Sequence, residues 1–421
     1  MTHHALICPP FHSHVRAFEA IGEALLRRGH AVSFLLNAGG GALVEAGGFG
    51  VEEVGAVRTP CRSPGRNPAG LFGILRTVRA SADRTRALCD GGPEILRRIG
   101  AEIVLADQME PAGGLLAEHL RLPFLSVAAA LPIDPHPSLP SPFLGWSYDP
   151  SPEGLKRNRG GERVSRLLLH RQREAIQSAA QRFGLRSRSR LEECLSPLAT
   201  IAQTVPGFDF PRPPSPRHFA VGPFRAAGAP EAAGFSLPFA RRAGVPLVFC
   251  SLGTLQGHRL SIFHTVARAC RRLGWHLVVA HCGRLSPEQA ATIDADLVTD
   301  FLPQRAMLAL ADLCISHGGL NTALDAMEAG VPVLAIPIAY DQPGVAARLL
   351  HHGAGLRLAR RRLDVDDVVA ALRRLHGEPR FAVRAHAIGA EIREAGGVER
   401  AADLVERFAA GASRPRELAL A

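Results

Sequence analysis

The sequence predicts an α/β protein of two parallel-sheet domains that face each other across a cleft. The chain has 421 residues, more than one hydrophobic core usually supports, so two domains of roughly 200 residues each are expected. Short apolar runs alternate with helix-period segments from the N-terminus onward, and the alternation starts afresh at Leu247, which is the pattern of parallel α/β sheets. Between the two lies a proline-dense stretch with Pro211, Pro213, Pro214, Pro216, Pro223, Pro230 and Pro238, which suits a linker better than a helix or a central strand. The division is then 1–210 for the first domain, 211–245 for the linker, 246–395 for the second domain, and 396–421 for a C-terminal helix and tail that would cross back to the first.

Ala5 to Cys8 is a short apolar strand that Pro9 and Pro10 end. Val15 to Arg28 carries Val15, Phe18, Ile21, Ala24 and Leu25 at helical spacing, and Gly29 stands where a helix stops. Ala31 to Leu36 completes a βαβ opening, and the pattern returns with Ile103 to Ala106, a helix from about Glu110 to Leu120, and Phe124 to Ala128. Pro132 to Pro152 reads as irregular, followed by Arg-rich helical stretches at Arg163 to Phe183 and Arg188 to Leu195. In the second half Leu247 to Ser251, His276 to Ala280, Cys314 to Ser316 and Val331 to Ile336 read as strands, with helices near Ser261 to Leu273 and from about Gly318. Parallel sheets bind ligands beyond the carboxyl ends of their strands. The loops after Cys8, Ala106, Ser251, Ser316 and Ile336 are therefore where chemistry is expected.

Composition narrows the classes. With 47% apolar and 21% charged residues the chain is globular. Its net charge of +10 comes almost wholly from arginine, since Lys156 is the only lysine, and aromatics are 5%, so a nucleic-acid partner is not indicated. The cysteines form no C-x-x-C pair, which points away from a zinc cage or a disulfide framework and toward a reduced, cytoplasmic setting. No apolar run approaches the length of a membrane span.

Several loops offer chemistry. Ser316-His317-Gly318-Gly319-Leu320-Asn321-Thr322 joins a strand to a helix, and its glycines let a ligand approach backbone N–H groups that favour an anion. Alone, it also reads as a tight turn with a capping histidine. Asp341-Gln342 can grip adjacent sugar hydroxyls, and Asp325 lies one helical turn beyond Asn321. Ser251-Leu252-Gly253-Thr254 is a second hydroxyl-flanked glycine loop suited to a diphosphate. In the first half His14 follows the first strand and is a candidate general base, with His12 as competitor and Asp107 as the carboxylate to orient it.

These residues resemble the inverting UDP-sugar-dependent glycosyltransferases of GT-B fold, two Rossmann-like domains across a cleft. The donor signature is Phe301-Leu302-Pro303-Gln304, His317 to Asp325, Gly330-Val331-Pro332 and Asp341-Gln342. Pro9 to Ala17, Asp107 to Gly113 and Ser251 to Arg259 are similar to the bacterial carotenoid-pathway branch. The resemblance implies His14 as base and Asp107 as its support. It implies Phe301 and Leu302 against uracil, Gln304 and Asp325 at the ribose, and His317, Gly319, Asn321 and Thr322 with Ser251, Gly253 and Thr254 around the diphosphate. Asp341 and Gln342 would meet the glucose hydroxyls. Phe301, Gly318 and Asp325 stand where tryptophan, cysteine and glutamate are commoner.

By the same resemblance, UDP-glucose is the co-substrate and zeaxanthin the acceptor, with no cofactor, no metal, and peripheral contact with the inner face of the membrane. Leu71 to Leu75 and Phe143 to Trp146 are candidate acceptor walls. A macrolide or flavonoid acceptor stays open, as do a nucleotide-sugar epimerase and a non-catalytic sensor.

Overall fold

The computed structural model describes residues 1–55, 71–225 and 234–412. Among these, the strands form two parallel sheets. The first is ordered β3-β2-β1-β4-β5-β6-β7, from β1 (His3–Ile7), β2 (Ala31–Asn37), β3 (Gly50–Val54), β4 (Ile103–Asp107), β5 (Phe124–Ala128), β6 (Thr200–Ala202) and β7 (His218–Ala220). The second is ordered β10-β9-β8-β11-β12-β13, from β8 (Leu247–Ser251), β9 (His276–Ala280), β10 (Leu297–Thr299), β11 (Leu313–Ser316), β12 (Val333–Ala335) and β13 (Gly355–Arg357). β1, β4, β8 and β11 are uninterrupted, largely apolar runs because helices cover both faces of each sheet.

The first half carries α1 (His12–Arg27), α2 (Leu71–Arg98), α3 (Ala112–Leu120), α4 (Pro152–Leu168) and α5 (His170–Arg182). The second carries α6 (Gly253–Gln256), α7 (Leu260–Leu273), α8 (Pro287–Ala290), α9 (Gln304–Leu310), α10 (Leu320–Glu328), α11 (Gln342–His351), α12 (Val365–Gly377) and α13 (Arg380–Glu394). The final helix, α14 (Gly397–Ala412), lies in the first domain's core, where Ala401, Leu404 and Val405 join Phe18, Ile21 and Leu25 of α1. Burying Val398, Leu404 and Val405 contributes on the order of 5 kcal/mol.

Strand order reverses between β1 and β4 in one sheet and between β8 and β11 in the other. Registers set Ile7 beside Ala106 and Ser251 beside Ser316. These are the two switch points at which open α/β sheets leave a crevice.

Two expectations are corrected. The stretch 211–245 is not purely linker, because His218–Ala220 pairs with β6 as the edge strand of the first sheet; three residues among prolines are too few to show a strand period. Arg188 to Leu195 is not an α-helix but a single 3₁₀ turn at Leu191–Cys194. The longest helix, α2, holds Gly91, Gly92 and Pro93 in its interior, residues that ordinarily argue against one.

The halves are tied by polar contacts as well as by chain. Arg348 of α11, 1% exposed, donates to Asp209 at 2.7 Å and lies 4.3 Å from the Phe210 ring. Burial alone would raise the Asp209 pKa, but Arg348 and Arg212 bring it below the usual carboxylate range. Removing one partner of such a pair leaves a buried charge uncompensated.

Candidate active site

On the first-domain side, Pro9 and Pro10 end β1, and extended Phe11 turns the chain directly into α1. His14 therefore sits in the first turn of a helix that starts at the switch point. Its Nδ1 lies 2.7 Å from Oδ2 of Asp107 at the end of β4, and the other Asp107 oxygen accepts from the Met109 N–H at 2.8 Å. A carboxylate only accepts, so the proton resides on Nδ1 and the neutral ring keeps its lone pair on Nε2. Asp107 is 1% exposed, whereas the His14 side chain keeps 13% of its surface open. Burial depresses the His14 pKa, yet the charge and hydrogen bond of Asp107, with the charge of Asp341, outweigh it and the net shift is upward. His12 occupies the exposed first position of the helix, so the competition between the two histidines is decided by which one Asp107 reaches.

Behind this pair is Glu110, a residue that sequence patterns did not single out. Burial pushes its carboxyl up to about 7 against bonds from Thr85 at 2.7 Å and the Ala112 N–H at 3.2 Å.

On the second-domain side, the ring of His317 is held between two glycines. A Cβ at Gly253 or at Gly319 would stand 2.7 Å from its Cε1, closer than packed carbons approach. Gly253 also has φ +68°, which a side chain would strain. Burial draws His317 down to about 4, despite the opposing hydrogen bond to the Ser251 backbone. A neutral ring that donates to Ser251 has no second N–H. Donation to a phosphate oxygen thus needs a second proton, which the phosphate charge itself favours. Gly319 is the extended N-cap of α10, so the free N–H groups of that helix open on the same place.

Around the loop the remaining residues fall into a network. Gln304 donates to Asp325 at 2.5 Å and accepts from Thr322 at 3.2 Å. Asp325 also receives Arg225, which lies 3.4 Å from Glu328. Both Asp325 oxygens thus face protein donors, a partnership that a local motif could not reveal. Asn321 accepts across the domain boundary from fully buried Gln203 at 2.9 Å. Asp341 accepts from the Leu131 N–H at 3.4 Å, another contact between halves, and the charges of Asp341 and His14 act on each other. The Gln342 carbonyl accepts from the N–H groups of Ile338 and Ala339 at 2.9 and 2.8 Å, so only its amide nitrogen is available to a ligand. Tyr340, immediately before Asp341, adopts φ +58° in that turn, a conformation strained for a residue with a side chain. Phe301, 65% exposed, presents an open ring, and Leu302 is partly buried beside it. Thr254 lies in α6, its carbonyl accepting from Arg284.

Comparison with known proteins gives this cleft a family. Residues 274–404 match the family model described as the erythromycin biosynthesis protein CIII-like C-terminal domain. The zeaxanthin glucosyltransferase of Pseudescherichia vulneris is 40% identical over 98% of this chain and 99% of its own. That of Pantoea ananas is 39% identical, over 97% and 96%. The chain belongs to the zeaxanthin glucosyltransferase family. Its fold is GT-B: the calicheamicin glycosyltransferase CalG4 superposes with a TM-score of 0.76 at 22% identity, covering 98% of this chain and 100% of that one. Glycosyltransferase VinC, solved in complex with dTDP, superposes at 0.67 and 19%, covering 97% and 100%.

A glycosyltransferase of this family needs a nucleotide-sugar donor and an acceptor. The structure brings Ser251, Gly253, His317, Gly319, Asn321, Gln304, Thr322 and Asp325 to the second switch point, and of the two candidate acceptor walls the Phe143 to Trp146 segment lies against the start of α11, where Gly145 adjoins Pro343. Phe72, Ile74 and Leu75 reach solvent on α2, and the Leu71 side chain lies outside the described residues. Trp146 lies against Gly161 of α4, with Arg157 over its ring at 5.3 Å. Apolar character alone does not tell a pocket wall from a surface. Among the described residues no helix is long and apolar enough to cross a membrane.

Proposed function

We propose that the protein transfers glucose from UDP-glucose to a hydroxyl of zeaxanthin in one in-line displacement that inverts the anomeric carbon. The observation that carries this is the His14–Asp107 hydrogen bond of 2.7 Å at the first switch point, with Asp341 of the second domain reaching the first through the Leu131 N–H. Zeaxanthin as acceptor is supported by the two full-length relatives that bear its name.

His14 Nε2 takes the acceptor proton as the hydroxyl oxygen attacks the anomeric carbon, and Asp107 stabilises the imidazolium that results. The diphosphate departs from the opposite face, so an α-linked donor yields a β-glucoside. Its charge is met by the N-terminus of α10, by His317, and by the side chains of Asn321 and Thr322, with the Ser251 to Thr254 loop alongside. Asp341 and the Gln342 amide hold glucose hydroxyls, Gln304 and Asp325 the ribose, and Phe301 with Leu302 the base. The reaction needs neither metal nor cofactor.

Purified protein given UDP-glucose, zeaxanthin and EDTA should add one or two hexoses to the extracted pigment by mass spectrometry. Unmodified pigment with epimerised or hydrolysed donor would overturn the proposal. His317→Ala should weaken UDP binding about tenfold or more in calorimetry, the loss of a hydrogen bond to a charged group. Unchanged affinity would remove His317 from the diphosphate site.

A further inference from the structure

Large apolar side chains that reach solvent are clustered. Of the eleven among the described residues, five are Phe72, Ile74, Leu75, Val164 and Leu167, on the first turns of α2 and the last turns of α4. Phe72 is 81% and Leu167 77% exposed. The two helix ends adjoin, since Leu75, Val78 and Arg79 share a shallow groove with Leu167, Leu168 and Arg171. Exposed cations surround them: Arg76 and Arg79 on α2, and Arg159, Arg163, Arg166 and Arg171 on α4 and the start of α5. Glu162 is the one acidic residue within 72–79 and 159–171. It lies 3.7 Å from Arg166, and Glu174 lies 3.3 Å from Arg171, exposed pairs that neutralise little.

We infer that this face docks the enzyme on an anionic phospholipid bilayer, its apolar side chains entering the headgroup layer and its arginines lying at the phosphates. A second copy is a poor occupant, because two such faces would set arginine against arginine. The face also leads to the catalytic cleft. α2 continues to Arg84, whose guanidinium lies 5.2 Å from the Phe11 ring, and that ring is 6.0 Å from His14. Along α2 the path from Phe72 to Arg84 is roughly 18 Å at the rise of a helix. An acceptor dissolved in the bilayer, as proposed above, would emerge roughly 18 Å from Arg84, on the helix whose contacts through Arg84 and Phe11 continue to the base.

The test is cosedimentation with vesicles of equal parts phosphatidylglycerol and phosphatidylcholine, against phosphatidylcholine alone. The wild-type protein should pellet with the anionic vesicles only, and less as salt rises. Arg163→Glu with Arg166→Glu should bind about 30-fold more weakly, from about 1 kcal/mol per arginine. Val164→Ser with Leu167→Ser should lose about tenfold or more. Both variants should keep wild-type melting and wild-type turnover of detergent-solubilised acceptor. Wild-type protein that stays in the supernatant at low salt overturns the inference, as do variants that pellet like wild type. A wild-type dimer that the serine variant dissolves also overturns it, by assigning the face to a second copy. Turnover in detergent does not depend on vesicles, so a failure of the proposed reaction would be read separately.

Discussion

His14→Ala is expected to lower kcat by about 10²-fold or more, the usual contribution of a positioned general base, while UDP affinity in calorimetry stays near wild type. The separation follows from geometry. His14 lies on the first-domain side of the cleft, whereas the residues proposed for the diphosphate lie at the second switch point. The loss should fall on kcat, because proton transfer matters only once donor and acceptor are both bound. Turnover within a few-fold of wild type would exclude His14 as the base. Loss of UDP binding to the same extent would show that the variant disturbs the fold.

The second large effect is expected from Asp107→Asn, also about 10²-fold or more in kcat, because an amide can donate to Nδ1 and so present the wrong tautomer. Its distinguishing readout is the pH profile. Catalysis needs neutral His14, so kcat/KM should fall as pH drops through the His14 pKa of the free enzyme. In wild type that acid limb should lie above the ordinary imidazole value, because Asp107 and Asp341 outweigh burial. With the Asp107 charge removed, burial is less opposed and the limb should move to lower pH. A slow variant with an unmoved limb would mean that Asp107 supports the loop through Met109 and does not tune the imidazole.

Much of the candidate site was legible because its parts are local. Asp107 and Ser251 end strands and His14 and His317 follow them, and strand ends are visible in short apolar runs. What these residues touch was not. Gln203 and Arg225 carry no motif, Glu110 stands in the Asp107 to Gly113 string with nothing to mark it as buried, and their partners Asn321, Asp325 and Thr85 are distant in sequence. The choice of His14 over His12 likewise depends on where Asp107 arrives from a strand formed far down the chain.

By itself, the sequence determined two parallel α/β halves, the glycine-framed loop at His317 and the strand-end positions of His14 and Asp107, because strand period, helix stops and glycine turns are properties of consecutive residues. Tertiary structure alone decided that β7 is recruited from a proline-rich stretch, that Arg348 pairs with Asp209, and that Asp341 meets the first domain at Leu131. Those depend on which surfaces meet when two sheets and their crossing helix exclude water together, and no window of neighbouring residues contains that information.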